Sequence, residues 1–162
     1  MTDMLVQLLK LPAHQLLIDE LRNQQVIVRR ANPWELSRVR EFAGKWAITW
    51  ADEAEVAFAR QPVSVFIAIA AGEIVGFCCY ECTRRNYLGP MGVDESLRGK
   101  GVGRALLLAS LASLREMGYA YAIIGGVGPI EFYQKACGAT VIEGSDRGVY
   151  VDMLNKRPSG PS

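Results

Sequence analysis

The sequence predicts one α/β domain in which a mixed, mostly antiparallel central sheet is flanked by helices. Three observations carry that expectation. Segments with helical spacing alternate with short β-branched or alternating runs along the chain. The 162 residues, 50% hydrophobic, suffice for one ordinary core but not for two. No interdomain linker or internal repeat divides them.

In residues 2–22, Leu5, Leu8 and Leu9, then Leu16, Leu17 and Leu21, fall at helical spacing with Pro12 between them. Residues 1–24 therefore read as an N-terminal helical extension, either two short helices or one broken one. QVIVRRA, residues 25–31, is short and β-branched, hence a strand. NPWELSRVREFAGKWA follows as a helix, with Asn32 at its N-cap, Pro33 at the first position and Glu35 in the first turn. ADEAEVAFARQ reads as a second helix ending before Pro62. VSVFIAIA and EIVGFCCYECT flank Ala71-Gly72, a hairpin turn. YLGPMGV is a third strand whose Gly-Pro implies a bulge or a break in pairing. Residues 102–117 are helical, closed by Gly118. YAYAII is a buried strand, Pro129 opens a short helix through Lys135, and TVIEG with GVYVDML fits a closing hairpin. The main domain thus runs over 25–155, with 156–162 a disordered tail.

A net charge of +1 makes no general electrostatic case for nucleic acid or an anionic membrane, so neither is an expected partner. The first residues lack the basic leader of a signal peptide, and no run approaches membrane-spanning length. Four cysteines, Cys78, Cys79, Cys82 and Cys137, read as reduced core residues of a cytoplasmic protein. Cys79 and Cys82 have C-x-x-C spacing, but with no second pair and a single histidine, no metal site is expected.

The stretch RGKGVG, residues 98–103, sets three glycines at alternate positions just before a good helix. A P-loop needs a hydroxyl after its lysine, and Gly101 follows Lys100. A dinucleotide fingerprint needs a small residue at Leu106 and an acidic ribose partner near residues 120–123, and has neither. Arg-x-x-Gly-x-Gly is matched in full. There the first helical amides lack intrahelical partners, and missing side chains at Gly99, Gly101 and Gly103 let a pyrophosphate approach them. Arg98, Lys100 and Arg104 add positive charge at the rim. Taken alone, the same glycines also suit a tight turn with a helix cap.

GPMGV, RGKGVGRALL and EFYQKACGA, in that order and separation, resemble the GNAT acetyltransferase superfamily over residues 26–154. The resemblance implies a GNAT-like fold in which a splayed pair of parallel strands admits the pantetheine arm of acetyl-CoA. It places backbone bonds to that arm at Met91 and Val93. The pyrophosphate then falls to Arg98, Gly99, Lys100, Gly101, Val102 and Gly103, with Arg104 adjoining. It makes Tyr133 the general acid that protonates the leaving thiolate, with direct acetyl transfer to an amine and no metal. Gly126 and Pro129 stand where relatives often carry Asn and Ala, and one extra residue separates Tyr133 from Gly138.

Glu81 is the carboxylate first expected as proton acceptor, against a role as a solvated strand-end charge. For the acceptor, the resemblance directs attention to Trp46, Trp50, Glu53, Glu55, Tyr80 and Tyr87, aromatics and carboxylates suited to a cationic amine. The expected acceptor is a small-molecule or protein amine. The rival reading is a non-catalytic acyl-CoA-binding sensor or interaction module. The N-terminal leucine-rich segment is expected to pack on its own domain or to form a homodimer contact.

Overall fold

A computed structural model describes residues 1–155; the expected disordered tail, 156–162, lies outside the described residues. In chain order the first half comprises β1 (Thr2–Gln7), α1 (Gln15–Asn23), β2 (Val26–Arg30), α2 (Leu36–Gly44), α3 (Ile48–Phe58), β3 (Val65–Ala70) and β4 (Glu73–Tyr80). The second half comprises β5 (Tyr87–Val93), α4 (Val102–Glu116), β6 (Tyr121–Val127), α5 (Ile130–Cys137) and β7 (Thr140–Val141). All strands join one sheet in the order β2-β3-β4-β5-β6-β1-β7, with β5 and β6 parallel and the other pairs antiparallel.

Local chemistry explains most of these elements. Ala71 and Gly72 both take positive φ, +49° and +77°, the twist-matching turn that closes the β3–β4 hairpin. Asn32 and Glu35 form a reciprocal capping box leading into α2. Arg29 donates to both Glu35 carboxylate oxygens, at 2.6 and 2.9 Å, and this bond holds the Glu35 carboxyl below its ordinary range. Helix α4 is buried continuously from Ala105 to Leu114, so it reads as a core helix with no solvent face along that run. Its two buried hydroxyls, Ser110 and Ser113, donate back to Leu106 O and Ala109 O. Helices α4, α1 and α5 cover one sheet face, while α2 and α3 cover the other through Val39, Phe42, Ala54 and Ala57.

Three expectations are corrected. The helical reading of residues 2–22 fails at its start: Thr2–Gln7 is a strand inserted between β6 and β7. Met4, Val6 and Leu8 are fully buried, a period of two that outweighs the leucine spacing used above. The first helix past Asn32 ends at Gly44, not Ala47, so Trp46 falls in the α2–α3 link. The closing hairpin does not form either. Only Thr140–Val141 is extended, and residues 142–150 proceed in turns around Gly144 and Gly148, at φ +74° and +51°. Side-chain bonds replace strand pairing there, with Asp3 N–H donating to Ser145 Oγ at 2.9 Å.

Candidate active site

Strands β5 and β6 pair only at Tyr87↔Ile123 and Leu88↔Ile124. Beyond these positions β5 stays with β4 and β6 with β1, so the parallel pair parts. The opening is a cleft of about 940 Å³. Asp94 N–H bonds Val75 O at 2.8 Å. By the alternation of an antiparallel ladder, Val93 and Met91 then direct their N–H and C=O groups away from β4, into the gap.

One end of the cleft is the turn before α4, where Arg98, Gly99, Gly101, Gly103 and Arg104 line the wall. Gly99 and Gly101 sit at φ +76° and +87°, and Gly101 caps the helix. The first helix-closing bond runs from Ala105 N–H to Gly101 O, leaving the amides of Val102, Gly103 and Arg104 without helical acceptors. A methyl at Gly103 would meet the Phe132 ring at 3.5 Å and Val93 at 3.6 Å, so that glycine keeps the passage open. The Val102 side chain belongs to the core, and Lys100 is exposed and does not line the cleft.

Tyr133, on α5, lines the middle with Met91, Val93 and Phe132. Its ring packs edge-on to Phe132 with centroids 5.0 Å apart. Burial, then the neighbouring Cys78 and Cys137 thiols, push its hydroxyl well above the ordinary tyrosine value, so it stays protonated. The thiols are raised by burial too, Cys78 to about 12 and Cys137 to about 11, which leaves neither a nucleophile. All four cysteines are unpaired.

The far end gathers Trp46, Trp50, Glu53, Thr83, Tyr87 and Tyr150. Trp46 and Trp50 stack at 5.9 Å and pack on Phe77, so they serve the core and the cleft at once. A Cβ on Gly92 would lie 2.8 Å from the Trp46 ring, which is why the indole can close on β5.

Other expected residues lie elsewhere. Glu81 is 1% exposed and does not line the cleft. At φ +58° it turns back into the protein, where Oε1 accepts the Asn86 N–H at 2.5 Å and Oε2 lies 3.5 Å from Arg60 Nη1. It holds the β4–β5 connection, and the expectation that it takes the substrate's proton is withdrawn on that geometry. Glu81→Gln is expected to cost about 1 kcal/mol, read as a lower melting temperature, with turnover per folded molecule unchanged. A selective loss of turnover would restore its catalytic role. Tyr80 is buried and accepts from Arg30 beneath α4, and Glu55 pairs with Arg40 on the surface at 3.2 Å. Sequence reasoning missed Tyr150, Thr83 and Thr49. Tyr150 was hidden by the expected hairpin, and its only sequence signal was the glycine at 126 that leaves room for its ring.

Fold and cleft together define an α/β protein with an open cleft between two parting parallel strands and an amide-rich helix start at one end. The sequence model of the acetyltransferase (GNAT) family matches residues 22–139, and the chain belongs to that family. No curated protein matches it in sequence. Solved structures share its fold. A GCN5-related glucosamine N-acetyltransferase region of a fungal multi-domain β-N-acetylglucosaminidase superposes at TM-score 0.66 and 14% identity, over 87% of this chain and 19% of that one. A GCN5-related N-acetyltransferase from Sphaerobacter thermophilus gives 0.61 and 18%, over 87% of this chain and 48% of that one. A GNAT family acetyltransferase from Brucella melitensis, solved with acetyl-CoA, gives 0.50 and 20%, over 72% and 86%. The chain thus spans from under a fifth to about half of the first two solved chains. Among the described residues no helix is long and apolar enough to cross a membrane, and no cluster of metal-ligating side chains occurs.

Proposed function

We propose that the protein is an N-acetyltransferase that moves the acetyl group of acetyl-CoA directly onto a primary amine, with Tyr133 as general acid. The observation that carries this reading is a single cleft joining the amide-rich turn at 98–104, the unpaired edge of β5 and the protonated Tyr133. The diphosphate is held by the turn's backbone amides and by Arg98 and Arg104 at the rim. Met91 and Val93 bond the pantetheine arm as an added strand would, and the Val93 N–H polarises the thioester carbonyl.

The bound ammonium first gives one proton to water, the free amine nitrogen then attacks that carbonyl carbon, and the C–S bond breaks. The sulfur leaves with the Tyr133 proton, and the proton released by the new amide's nitrogen restores the tyrosine through water. Side-by-side binding supplies much of the rate. The four unpaired cysteines support a reducing, cytoplasmic setting.

The test is calorimetric titration with acetyl-CoA and with acetyl-pantetheine, which lacks the diphosphate. Two charge-assisted bonds lost from the turn correspond to about a hundredfold weaker binding of the shorter compound. Equal affinities would remove the diphosphate cradle, and the acetyl-CoA reading with it.

A further inference from the structure

The two ends of the cleft are electrostatically opposite. Arg98 and Arg104 face one end, whereas Glu53 is the only carboxylate among the described residues that line the other. Its helix neighbours Asp52 and Glu55 both pair with Arg40, at 3.9 and 3.2 Å. Glu53 turns inward instead. Thr83 Oγ1 donates to its Oε1 at 2.6 Å, and among the described residues no lysine, arginine or N-terminal ammonium comes within ion-pairing reach; the Met1 ammonium, on a residue that also lines the cleft, donates to Asp146 O at 3.5 Å.

Trp50, Tyr87 and Tyr150 line the same cleft as this carboxylate. Trp50, one turn earlier on α3, stacks on Trp46. A methyl on Gly125 would lie 3.2 Å from the Tyr87 ring, and one on Gly126 would lie 3.0 Å from Tyr150, so both rings rest against bare β6 backbone. Asp3 adds a second negative charge behind them, accepting the Gly126 N–H at 2.9 Å. Burial is the main cause that raises both phenols, with Asp3 adding to it and Arg84 opposing it at Tyr87, and Glu53 and Asp3 adding to it at Tyr150.

This end is also walled. Ile142 N–H bonds Asp3 O at 2.9 Å, the Ser145 and Thr2 hydroxyls meet at 2.8 Å, and residues 142–150 then carry Tyr150 onto Gly126. An extended peptide needs an open groove, and this segment crosses one side of it.

We infer that the far end is a subsite for a small organic ammonium. Glu53 pairs with the cationic nitrogen, and the faces of Trp50, Tyr87 and Tyr150 hold an aromatic or apolar body. An uncompensated carboxylate among rings gains more from a cation than a solvated one does. The ligand's role as acetyl acceptor rests on the acetyl-transfer reading above; its binding does not.

The test follows Trp46 and Trp50 fluorescence in the full chain carrying Trp34→Phe, a substitution at an 80% exposed position, during titration with phenethylamine, its neutral counterpart 2-phenylethanol, and a lysine-containing pentapeptide. Phenethylamine is expected to bind about tenfold or more tightly than the alcohol, and Glu53→Gln to erase that difference. Tyr150→Ala is expected to weaken phenethylamine about tenfold, while Tyr150→Phe keeps its affinity, since the ring face makes the contact. Acetyl-CoA titrations of the same variants, unchanged, show that each remains folded. Equal binding of amine and alcohol, no binding of either, indifference to Glu53→Gln, or a peptide bound as tightly as phenethylamine overturns the proposal. Loss of acetyl-CoA binding in the wild type with phenethylamine still bound would overturn acetyl transfer and leave the cation subsite standing.

Discussion

Tyr133→Phe is expected to lower kcat about a hundredfold or more while acetyl-CoA affinity stays at the wild-type value. The change removes one oxygen, and no described residue hydrogen-bonds that hydroxyl, so no buried partner is orphaned. Stability should shift by less than about 1 kcal/mol. The ring's packing on Phe132 survives. On the acetyl-transfer proposal, what disappears is the proton for the departing sulfur. Because burial raises the hydroxyl's pKa, the wild-type tyrosine remains a donor through the alkaline range where an ordinary phenol would ionise near 10. The wild-type rate should therefore show no alkaline fall from this group at pH 9–10. Thiol release against pH, with calorimetry on both proteins, measures each quantity. Unchanged kcat in the Phe variant would remove Tyr133 from the chemistry, and absence of turnover in both proteins would favour the sensor reading.

Deleting residues 2–7 is expected to abolish cooperative folding. Strand β1 pairs with β6 on one side and β7 on the other, so its loss opens two edges inside the sheet. Met4 and Val6 are fully buried, each worth about 1.5–3 kcal/mol. The ladder bonds add roughly 1 kcal/mol apiece. Together these approach the roughly 5–15 kcal/mol that holds a domain folded. Asp3 leaves as well, which releases Gly126 and the wall at Ser145. Val6→Asp should act in the same direction by burying a charge. Leu9→Asp and Leu16→Asp, at positions 75% and 72% exposed, should shift stability by less than about 0.5 kcal/mol. A helical extension packed by its leucines predicts the reverse ranking. Thermal unfolding followed by circular dichroism separates the two, and a truncated chain melting at the wild-type temperature would refute the inserted strand.

Where the chain's instructions are local, the sequence was legible. The Asn32–Glu35 cap, the Ala71-Gly72 turn and the glycines before α4 each act within a few residues, and each lies where residue chemistry placed it, whereas the helix after Pro129 runs on to Cys137 rather than ending at Lys135. The motif at 98–103 was readable for the same reason, Tyr133 only through the family resemblance, and the structure brings both to one cleft. Residues 2–7 were not, because six residues hold too few repeats to separate a period of two from one of 3.6. Glu81 and Glu53 are both carboxylates near aromatic residues in sequence, and nothing local says which one faces the cleft.

The elements from residue 25 to the short helix after Pro129 and the amide-rich helix start were thus written in short-range preferences, while the parting strands were expected from the family resemblance alone. Tertiary structure alone decided that the first strand completes the sheet, that Glu53 rather than Glu81 faces the cleft, and that Tyr150 closes its far end. Those outcomes depend on contacts between residues 30 to 142 positions apart, whose energies exist only once the chain has brought them together.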